Sequence, residues 1–328
     1  MQLKNKKILI TGGAGFIGSN LVDYFLENNN QVTVLDNLLT GKEENISHHF
    51  DNKNFTFIKE DIRNIKTCQK AVEGKDFVFH QAALGSVPRS INDPITTNEI
   101  NISGFLNMLT ASRDAKVKRF IYAASSSTYG DSKKLPKLED EIGKPLSPYA
   151  ITKYVNELYA NVFANLYKIE VIGLRYFNVF GKRQDPNGAY AAAIPLFIKQ
   201  LIAGEQPTIN GDGSATRDFT YIKNVVQINE LAALTENKEA LNQVYNVAFG
   251  ENINLNTLLE ILKENLSRYN KNILNINVIH GPDRIGDIHD SLANIDKAKK
   301  LLGYKPQYSV EQGLEEAIEW YWEYFNNH

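Results

Sequence analysis

The sequence predicts an α/β protein built on a parallel, doubly wound sheet. The first observation is that short apolar runs rich in β-branched residues alternate with stretches of helical periodicity through the first half of the chain. The second observation is that each candidate functional motif falls where a predicted strand ends. Ligands bind at that edge of open parallel sheets, so both observations predict the same architecture.

The bulk composition is typical of a globular protein. The 328 residues are 43% apolar and 23% charged, and the net charge of −2 offers no electrostatic basis for binding nucleic acid or an anionic membrane. No run approaches the ~18 apolar residues of a membrane span. We therefore expect a cytoplasmic protein, with the N-terminus leading directly into the first strand, and neither nucleic acid nor a membrane as its partner.

The cysteine and histidine residues predict neither a disulfide nor a metal site. Cys68 is the single cysteine, which rules out an intrachain disulfide, and we expect it to pack in a helix that follows Asp61. The six histidines lack the spacing of metal ligands. We expect the adjacent His48 and His49 to lie in a solvated loop, and we predict no bound metal.

A glycine-rich loop follows the first predicted strand, Lys6 to Ile10. Its glycines permit a tight turn, a close approach of backbone to a pyrophosphate, and close packing of helix on strand. The helix that follows would offer free N–H groups and its positive dipole end to the phosphates. This position between a strand and a helix predicts a Rossmann-type dinucleotide site. The residues expected at the cofactor are Gly12, Gly15, Phe16, Ile17 and Gly18.

The second predicted strand, Gln31 to Leu35, ends in Asp36. An acidic residue at that point accepts hydrogen bonds from the adenosine ribose hydroxyls and repels a 2′-phosphate. The cofactor is therefore predicted to be NAD rather than NADP. The third predicted strand, Phe55 to Ile58, leads to Asp61 and Ile62, which are expected to flank the adenine.

The alternation continues through two more strands. Asp76 to Phe79 precedes Gln81-Ala82-Ala83, where small residues would let the chain pass close under a pyrophosphate. A long helix is expected from about Ile95 to Asp114. The strand from Arg119 to Ala124 ends in three consecutive serines, and a hydroxyl there could hydrogen-bond a substrate beside Tyr149.

The segment from Ser147 to Lys153 carries the candidate chemistry. Pro148 marks the first turn of a helix, so Tyr149 and Lys153 would lie four residues apart on one face. A phenol beside a fixed ammonium ion loses its proton more readily, because the cation favours the phenolate. The pair is therefore a candidate general base near neutral pH, and the preceding serines complete a Ser/Tyr/Lys set.

The second half of the chain predicts a smaller C-terminal α/β lobe. A strand from Ile169 to Leu174 ends the regular alternation, and a helix is expected from Ala189 to Ile202. Asn210 to Gly213 predicts a tight turn, and Ser309 with Gln312 predicts a capping box that opens a C-terminal helix. The predicted lobes are 1–177 with about 218–249, and about 178–217 with 250–328.

With these motifs in place, the chain resembles the extended short-chain dehydrogenase/reductases, and more narrowly the UDP-hexose 4-epimerases. The runs His80 to Ser90 and Leu174 to Gly181 are similar to bacterial UDP-N-acetylglucosamine 4-epimerases of surface-polysaccharide pathways. The resemblance implies that Tyr149, as phenolate, takes the proton of the sugar 4-hydroxyl while a hydride leaves C4 for a tightly held NAD. The 4-keto sugar then rotates and receives the hydride on its other face.

The resemblance also implies roles for individual residues. Lys153 would lower the pKa of Tyr149 and bind the nicotinamide ribose. The catalytic hydroxyl aligns with Ser125, with its two neighbours as alternatives. Further cofactor contacts would come from Asn37, Gly41, Asp61, Ile62, Gln81, Ala82, Ala83, Asn101, Ser125, Tyr176 and Val179. Substrate contacts would come from Gly85, Ser86, Ser126, Ser127, Asn178, Gln184, Ala192, Pro195, Phe197, Asn210, Arg217, Arg284, Asp287 and Ser291.

The predicted substrate pair is UDP-GlcNAc and UDP-GalNAc. Galactose-only members of the family have a bulky tyrosine where this chain has Ser291, and a small residue leaves room for a 2-acetamido group. UDP-glucose with UDP-galactose, and the corresponding uronic acids, remain open. Dehydratases and decarboxylases carry acids where this chain has Ser126 and Ser127, and non-catalytic relatives lose the Tyr/Lys pair that it keeps. The family implies a homodimer formed by helices around 96–113 and 149–166.

Overall fold

The computed structural model describes residues 2–186, 192–282 and 290–327. The strands are β1 (Lys7–Thr11), β2 (Gln31–Leu35), β3 (Phe55–Ile58), β4 (Phe77–His80), β5 (Arg119–Ser125), β6 (Glu170–Tyr176), β7 (Val179–Phe180), β8 (Thr208–Asn210), β9 (Thr216–Arg217), β10 (Thr220–Tyr221), β11 (Gln243–Val247), β12 (Ile253–Asn254) and β13 (Ile279–Gly281). The α-helices are α1 (Phe16–Glu27), α2 (Ile65–Val72), α3 (Val87–Asn92), α4 (Pro94–Asn98), α5 (Phe105–Asp114), α6 (Pro148–Tyr167), α7 (Ala193–Ile202), α8 (Ile222–Leu234), α9 (Leu255–Ser267), α10 (Asp296–Leu302) and α11 (Val310–Asn327).

Seven parallel strands form the central sheet in the order β11-β6-β5-β4-β1-β2-β3. The inner strands are continuous apolar runs because helices cover both faces, and β4 is buried at all four of its residues. The strand order reverses beside β1, whose neighbours are β2 and β4. A crevice opens at the carboxyl ends of the strands at such a switch point. The predicted doubly wound sheet is thereby confirmed.

The helix predicted from Ile95 to Asp114 is not one continuous α-helix. The structure has α4, then a π-helical segment from Glu99 to Gly104, and then α5. The wider π turn carries Asn101, whose side chain exchanges hydrogen bonds with the backbone of Leu84 (2.7 and 3.1 Å). A periodicity of 3.6 residues in the sequence cannot reveal such an insertion, which often occurs at functional sites.

His48 and His49 were expected in a solvated loop, which the structure confirms for His48, whose side chain is 46% exposed, but not for His49, whose side chain is 15% exposed. They lie in a 3-10 turn that packs against α1, where both Nε2 atoms contact Oδ1 of Asp23 at 3.2 and 2.9 Å. The other carboxylate oxygen of Asp23 meets Lys182 and Arg183 at 3.2 and 2.9 Å. The residues of this charge cluster are far apart in sequence, and their ion pairs hold the loop after β7 against α1.

Other local predictions are confirmed. Cys68 is buried within α2. Ser309 and Gln312 form the expected capping box, because each backbone N–H donates to the side chain of the other residue (3.0 and 3.2 Å). No helix in the described part of the chain is long and apolar enough to cross a membrane.

The second half adds three small two-stranded sheets beside the central one. They pair β10 with β7, β12 with β9, and β13 with β8. The helix predicted from Ala189 begins at Ala193 in the structure, and residues 189–191 lie outside the described residues. These small sheets bring segments of the last hundred residues back to the carboxyl edge of the central sheet.

Candidate active site

Two cavities lie at the carboxyl ends of the central strands. The first has a volume of about 360 Å³ and the second about 910 Å³, both within the ~300–1,000 Å³ range of small-molecule sites. Both cavities reach the end of β6, because Tyr176, its last residue, lines the first cavity and Asn178, two residues later, lines the second.

Most of the predicted site residues line one of these cavities. The first cavity is lined by Gly12, Gly15, Phe16, Ile17, Gly18, Asp36, Asn37, Gly41, Asp61, Ile62, Gln81, Ala82, Ala83, Gly85, Ser125, Tyr149, Lys153 and Tyr176. The second is lined by Asn178, Val179, Gln184, Ala192, Phe197, Asn210 and Arg217. Val179 was predicted on the cofactor side and Gly85 on the substrate side, so these two lie in the opposite cavity.

Several predicted residues do not line either cavity. Ser86 caps α3, Asn101 is hydrogen-bonded to the Leu84 backbone, and Pro195 is buried in α7. Ser126 and Ser127 form the 3-10 turn after β5. Ser291 donates its backbone N–H to Thr216 (3.1 Å), beside Arg217 rather than in the cavity wall. Arg284 and Asp287 lie outside the described residues.

The glycine loop has the geometry that a dinucleotide phosphate requires. Gly12 has φ +68°, and a Cβ there would lie 2.7 Å from the backbone nitrogen of Ala82. Gly15 precedes α1, and no side chain caps the first N–H groups of that helix. Uncapped helix N–H groups next to a loop without side chains form a cradle for an anion. The loop therefore fits the pyrophosphate of NAD.

Asp36 lines the first cavity at the end of β2. Its two carboxylate oxygens accept from the backbone N–H groups of Leu38 (2.8 Å) and Ala14 (3.0 Å). Burial raises the pKa of Asp36, and these two backbone donors oppose the rise. A carboxylate has about four acceptor positions, so the group retains capacity for ribose hydroxyls.

The floor of the cavity is held by a buried contact between β1 and β4. Thr11 Oγ1 lies 2.9 Å from His80 Nδ1 and accepts from the backbone of Ala82 (3.3 Å). Burial, followed by repulsion from Lys153, lowers the pKa of His80 to about 3, so this imidazole is neutral. The contact fixes the path of Gln81 to Ala83 beneath the glycine loop.

Tyr149, Lys153 and Ser125 come together in the first cavity. Ser147 caps α6 and Pro148 occupies its first turn, which puts Tyr149 and Lys153 on one helix face as predicted. The Lys153 ammonium donates to the Ala123 carbonyl (2.8 Å) at the end of β5. The Ser125 hydroxyl accepts from the Ser127 backbone (3.2 Å) and hydroxyl (2.9 Å), so its own proton is available for donation, and Ser125 lowers the pKa of Tyr149.

The pKa of Tyr149 is raised in the structure, whereas the sequence predicted that it would be lowered. Burial raises the pKa of Tyr149, and the hydrogen bond with Ser125 offsets only part of that rise. The Lys153 nitrogen lies 6.0 Å from the centre of the tyrosine ring, and burial lowers the pKa of this lysine to about 8. Helical spacing alone suggested that the ammonium would favour the phenolate. In the structure desolvation is the larger effect, and Ser125 is the group that favours the phenolate.

The second cavity offers polar groups on several sides. Gln184 donates its amide to the Val179 carbonyl (2.9 Å), while its side-chain oxygen is buried and has no partner among the described residues. Asn178 has φ +33° and donates to the Asp218 carbonyl (3.1 Å). The Arg217 guanidinium lines the same cavity. An amide oxygen, an amide and a guanidinium fit a polar, anionic ligand.

Asp218 is a buried carboxylate that joins three segments behind this cavity. It accepts from the backbone N–H groups of Phe249 (3.2 Å), Gly250 (3.3 Å) and Ala293 (3.2 Å). Burial raises its pKa from the usual 3.8 to about 7, against the effect of these donors. The folded state therefore binds the proton more tightly than the unfolded state does.

We expect Asp218→Asn to change how stability depends on pH. Because the folded pKa is raised, the stabilisation from this group is complete below pH ~4 and is lost as pH rises through about 7. The melting temperature of the unmodified protein should therefore fall relative to that of Asp218→Asn between pH 5 and pH 8. Thermal melts at unit pH steps measure this, and parallel curves would show that Asp218 is ionised throughout.

Several residues that line the two cavities were not predicted from the sequence. Ala123 and Ala124 line the first cavity, and two small residues at a strand end are the same signal that identified Ala82 and Ala83. Others had no local signal. Leu255 and His280 line the second cavity, and His280 reaches it because β13 pairs with β8.

Comparison with known proteins identifies the family. Residues 8–248 match the model of the NAD dependent epimerase/dehydratase family. A UDP-glucose 4-epimerase from Mycolicibacterium smegmatis is 32% identical, over 96% of this chain and 98% of the relative. A solved UDP-N-acetylglucosamine 4-epimerase from Methanobrevibacter ruminantium M1, in complex with UDP-N-acetylmuramic acid, is 40% identical with a TM-score of 0.91, covering 98% of this chain and 100% of that one.

A second solved structure contains the cofactor. It is a UDP-glucuronic acid 4-epimerase from Bacillus cereus in complex with UDP-glucuronic acid and NAD. It is 32% identical with a TM-score of 0.86, and the match covers 98% of this chain and 99% of that one. The glycine cradle, Asp36 and the Ser/Tyr/Lys group agree with these relationships. The chain belongs to the NAD-dependent epimerase/dehydratase family and is an isomerase that uses NAD.

Proposed function

We propose that the protein is a UDP-sugar 4-epimerase that interconverts UDP-GlcNAc and UDP-GalNAc. The observation that carries the proposal is that Tyr149, Ser125 and Lys153 all line the first cavity, with Tyr149 and Lys153 on one face of α6. Similarity to a UDP-N-acetylglucosamine 4-epimerase at 40% identity supports the acetylated substrate.

In this proposal Tyr149 moves one proton and NAD supplies the redox step. When bound, NAD accepts a hydride from C4 of the sugar and returns it to the opposite face. Tyr149 removes the 4-hydroxyl proton as the hydride leaves and gives it back when the hydride returns, so no net oxidation occurs. Ser125 donates a hydrogen bond that favours the phenolate. Lys153, held by the Ala123 carbonyl, orients the ribose of the cofactor.

The UDP moiety is proposed to bind in the second cavity. Arg217 and Asn178 would contact the diphosphate, because a guanidinium and an amide both donate to phosphate oxygens. The described lining of the first cavity comes from residues between 12 and 176, and that of the second from residues between 178 and 282. This distribution supports a cofactor lobe that contains 1–177 and a substrate lobe of about 178–217 with 250–328. The pairing of β11 with β6 in the central sheet supports adding about 218–249 to the cofactor lobe, although Phe219 lines the second cavity.

An NMR time course tests the proposed function. Purified protein would receive UDP-GlcNAc, UDP-GalNAc, UDP-glucose and the two UDP-hexuronic acids separately, without added NAD. Faster conversion of the acetylated pair supports the proposal. Faster conversion of a uronic acid would favour the activity named for the Bacillus cereus structure. Loss of water or carbon dioxide would indicate a dehydratase or decarboxylase, and no conversion with NAD added would favour a non-catalytic NAD-binding protein.

We expect Ser291→Tyr to lower activity on the acetylated sugars selectively. The proposal assigns to Ser291 the space for a 2-acetamido group, and its backbone bond to Thr216 (3.1 Å) keeps it beside Arg217. A phenol there is long enough to extend past Arg217 into the second cavity, and it should reduce kcat/KM for UDP-GlcNAc by 10-fold or more, because excess volume in a packed site costs ~1–3 kcal/mol. Ser291→Ala is the matched control. Equal losses on UDP-GlcNAc and UDP-glucose would mean that Ser291 does not discriminate between them.

We also propose that the protein is a homodimer. Ile151, Leu158, Val162 and Leu166 are 48–67% exposed and lie on one face of α6. Contiguous exposed apolar surface of this kind marks an interface, and the family pairs this helix with its copy.

Light scattering tests the proposed dimer and should give twice the monomer mass. The pair Leu158→Glu and Leu166→Glu should give the monomer mass, whereas Leu274→Glu, at a residue 49% exposed elsewhere, should leave the dimer intact.

A further inference from the structure

The helix face that carries Tyr149 and Lys153 continues to a third ionisable residue. Glu157 lies four residues beyond Lys153 on α6, so the three side chains occupy one face. Glu157 is 7% exposed and Lys153 is 3% exposed. A carboxylate and an ammonium buried one helical turn apart attract each other without direct contact, because little water screens them.

Glu157 is fixed by a buried arginine from the central sheet. The guanidinium of Arg175 on β6 donates two hydrogen bonds to the two oxygens of Glu157, at 2.9 and 2.7 Å. It donates a third to the Glu139 carbonyl (2.8 Å) and lies 4.9 Å from the ring centre of Tyr129. Arg175 immediately precedes Tyr176, which lines the first cavity. The ion pair is therefore held rigidly one turn outside the catalytic group.

The surroundings of Lys153 otherwise disfavour its charge. Burial lowers the pKa of Lys153 to about 8, and Glu157 is the group that raises it. The neighbouring ionisable groups on β4, β5, α6 and β6 supply no second carboxylate at the amine. They are His80, neutral because its pKa is lowered to about 3; Tyr122 and Tyr149, whose pKa values are raised by burial; and Tyr176, whose pKa is raised to about 12 by burial.

We propose that Glu157, held by Arg175, is a positioning residue that keeps the buried amine of Lys153 protonated at neutral pH. The ion pair then sets the upper pH limit of the active site from outside the cavity. The inference deepens the proposed function, because it explains how a buried lysine stays charged beside the cofactor ribose. It concerns the charge of the amine itself, so its test does not depend on turnover.

Three variants distinguish the electrostatic effect of the Glu157–Arg175 ion pair on Lys153 from the contribution of the pair to folding. Glu157→Gln removes the negative charge and leaves Arg175 unpaired. The double variant Glu157→Gln with Arg175→Met removes both charges, which avoids the heavy cost of a single buried unpaired charge. Glu170→Gln is the matched control, because Glu170 pairs with another buried arginine, Arg119, at 2.7 Å and lies at the far end of β6.

The measurement is a ¹³C NMR titration of full-length protein labelled at the lysine Cε, with Lys153→Met assigning the resonance and the NAD content of each sample matched. The midpoint should fall by about one pH unit or more in Glu157→Gln, the size of effect that a close opposite charge has. The double variant should show a smaller fall, and Glu170→Gln none.

The basic limb of the pH–kcat profile should move in the same order as the NMR midpoints. A loss of stability alone would lower kcat at every pH and leave the limb where it was. An unchanged Lys153 midpoint in both Glu157 variants would overturn the inference. If the midpoint shifts as expected while the unmodified protein converts no UDP-sugar, the inference stands and the proposed function falls.

Discussion

Replacing Tyr149 with phenylalanine should lower kcat for epimerisation by ~10²–10⁴-fold, the typical contribution of a positioned general acid–base group. The substitution keeps the ring and removes only the phenol oxygen, the group proposed to move the proton. The fold and the bound NAD should be unaffected, because the hydroxyl is not needed for packing. The measurement is the initial rate by NMR, with NAD content and melting temperature determined on the same preparation.

Tyr154→Phe is the control for this substitution. Tyr154 lies on the same helix, is half-buried, and is outside the described lining of both cavities. Its loss should leave kcat within about twofold, since a substitution away from the reacting groups removes no transition-state interaction. Retention of a tenth or more of the activity by Tyr149→Phe would mean that another group moves the proton.

Replacing Gly12 with alanine should abolish retention of NAD. Gly12 has φ +68°, and an added Cβ would lie 2.7–2.9 Å from the backbone of Gln81 and Ala82. These atoms belong to the chain that follows β4, which the contact of Thr11 with His80 holds in place. Since the backbone cannot yield locally, the two crossing segments must separate. That separation destroys the cradle proposed for the pyrophosphate.

Gly74→Ala is the control that distinguishes the steric clash of a Cβ at position 12 from the strain of a left-handed backbone. Gly74 has nearly the same conformation, φ +66°, but a Cβ there would meet no atom within 4 Å. It should cost only the ~1–2 kcal/mol of a left-handed alanine and leave NAD bound. Chromatography of the nucleotide released on denaturation, and urea unfolding, measure the two effects.

A third glycine substitution covers the case in which Gly12→Ala does not fold. Gly15→Ala would bring its Cβ 3.2 Å from the Gly12 carbonyl oxygen, which is a much milder contact. It should fold and hold NAD more weakly. Full NAD content in both Gly12→Ala and Gly15→Ala would exclude this loop as the phosphate site.

The parts of the structure encoded locally could be predicted from the sequence. The strands Gln31–Leu35 and Phe55–Ile58 have the predicted bounds, and α6 begins at Pro148 after the Ser147 cap. Apolar runs, helix caps and glycines act over a few residues, so their effect on local structure can be predicted from the sequence without knowing the tertiary fold. The alternation of these strands and helices also implied a parallel sheet, and therefore predicted that the functional motifs would come together at the carboxyl ends of its strands.

The remaining features depend on contacts between residues distant in sequence. The sequence could not choose among Ser125, Ser126 and Ser127, whereas the end of β5 brings Ser125 to Tyr149 and turns the other two into a 3-10 helix. Likewise, the spacing of Tyr149 and Lys153 was visible, but the desolvation that raises the tyrosine pKa exists only when both are buried.

The sequence by itself determined the order of strands and helices, the glycine cradle and the helix that carries Tyr149 and Lys153. Only the tertiary structure decided the charge environment of these groups. Arg175 meets Glu157 across 18 residues, and Lys153 meets the Ala123 carbonyl across 30. Such pairs form because packing buries both partners at one position, and the free energy of a buried charge depends on neighbours that no local pattern specifies.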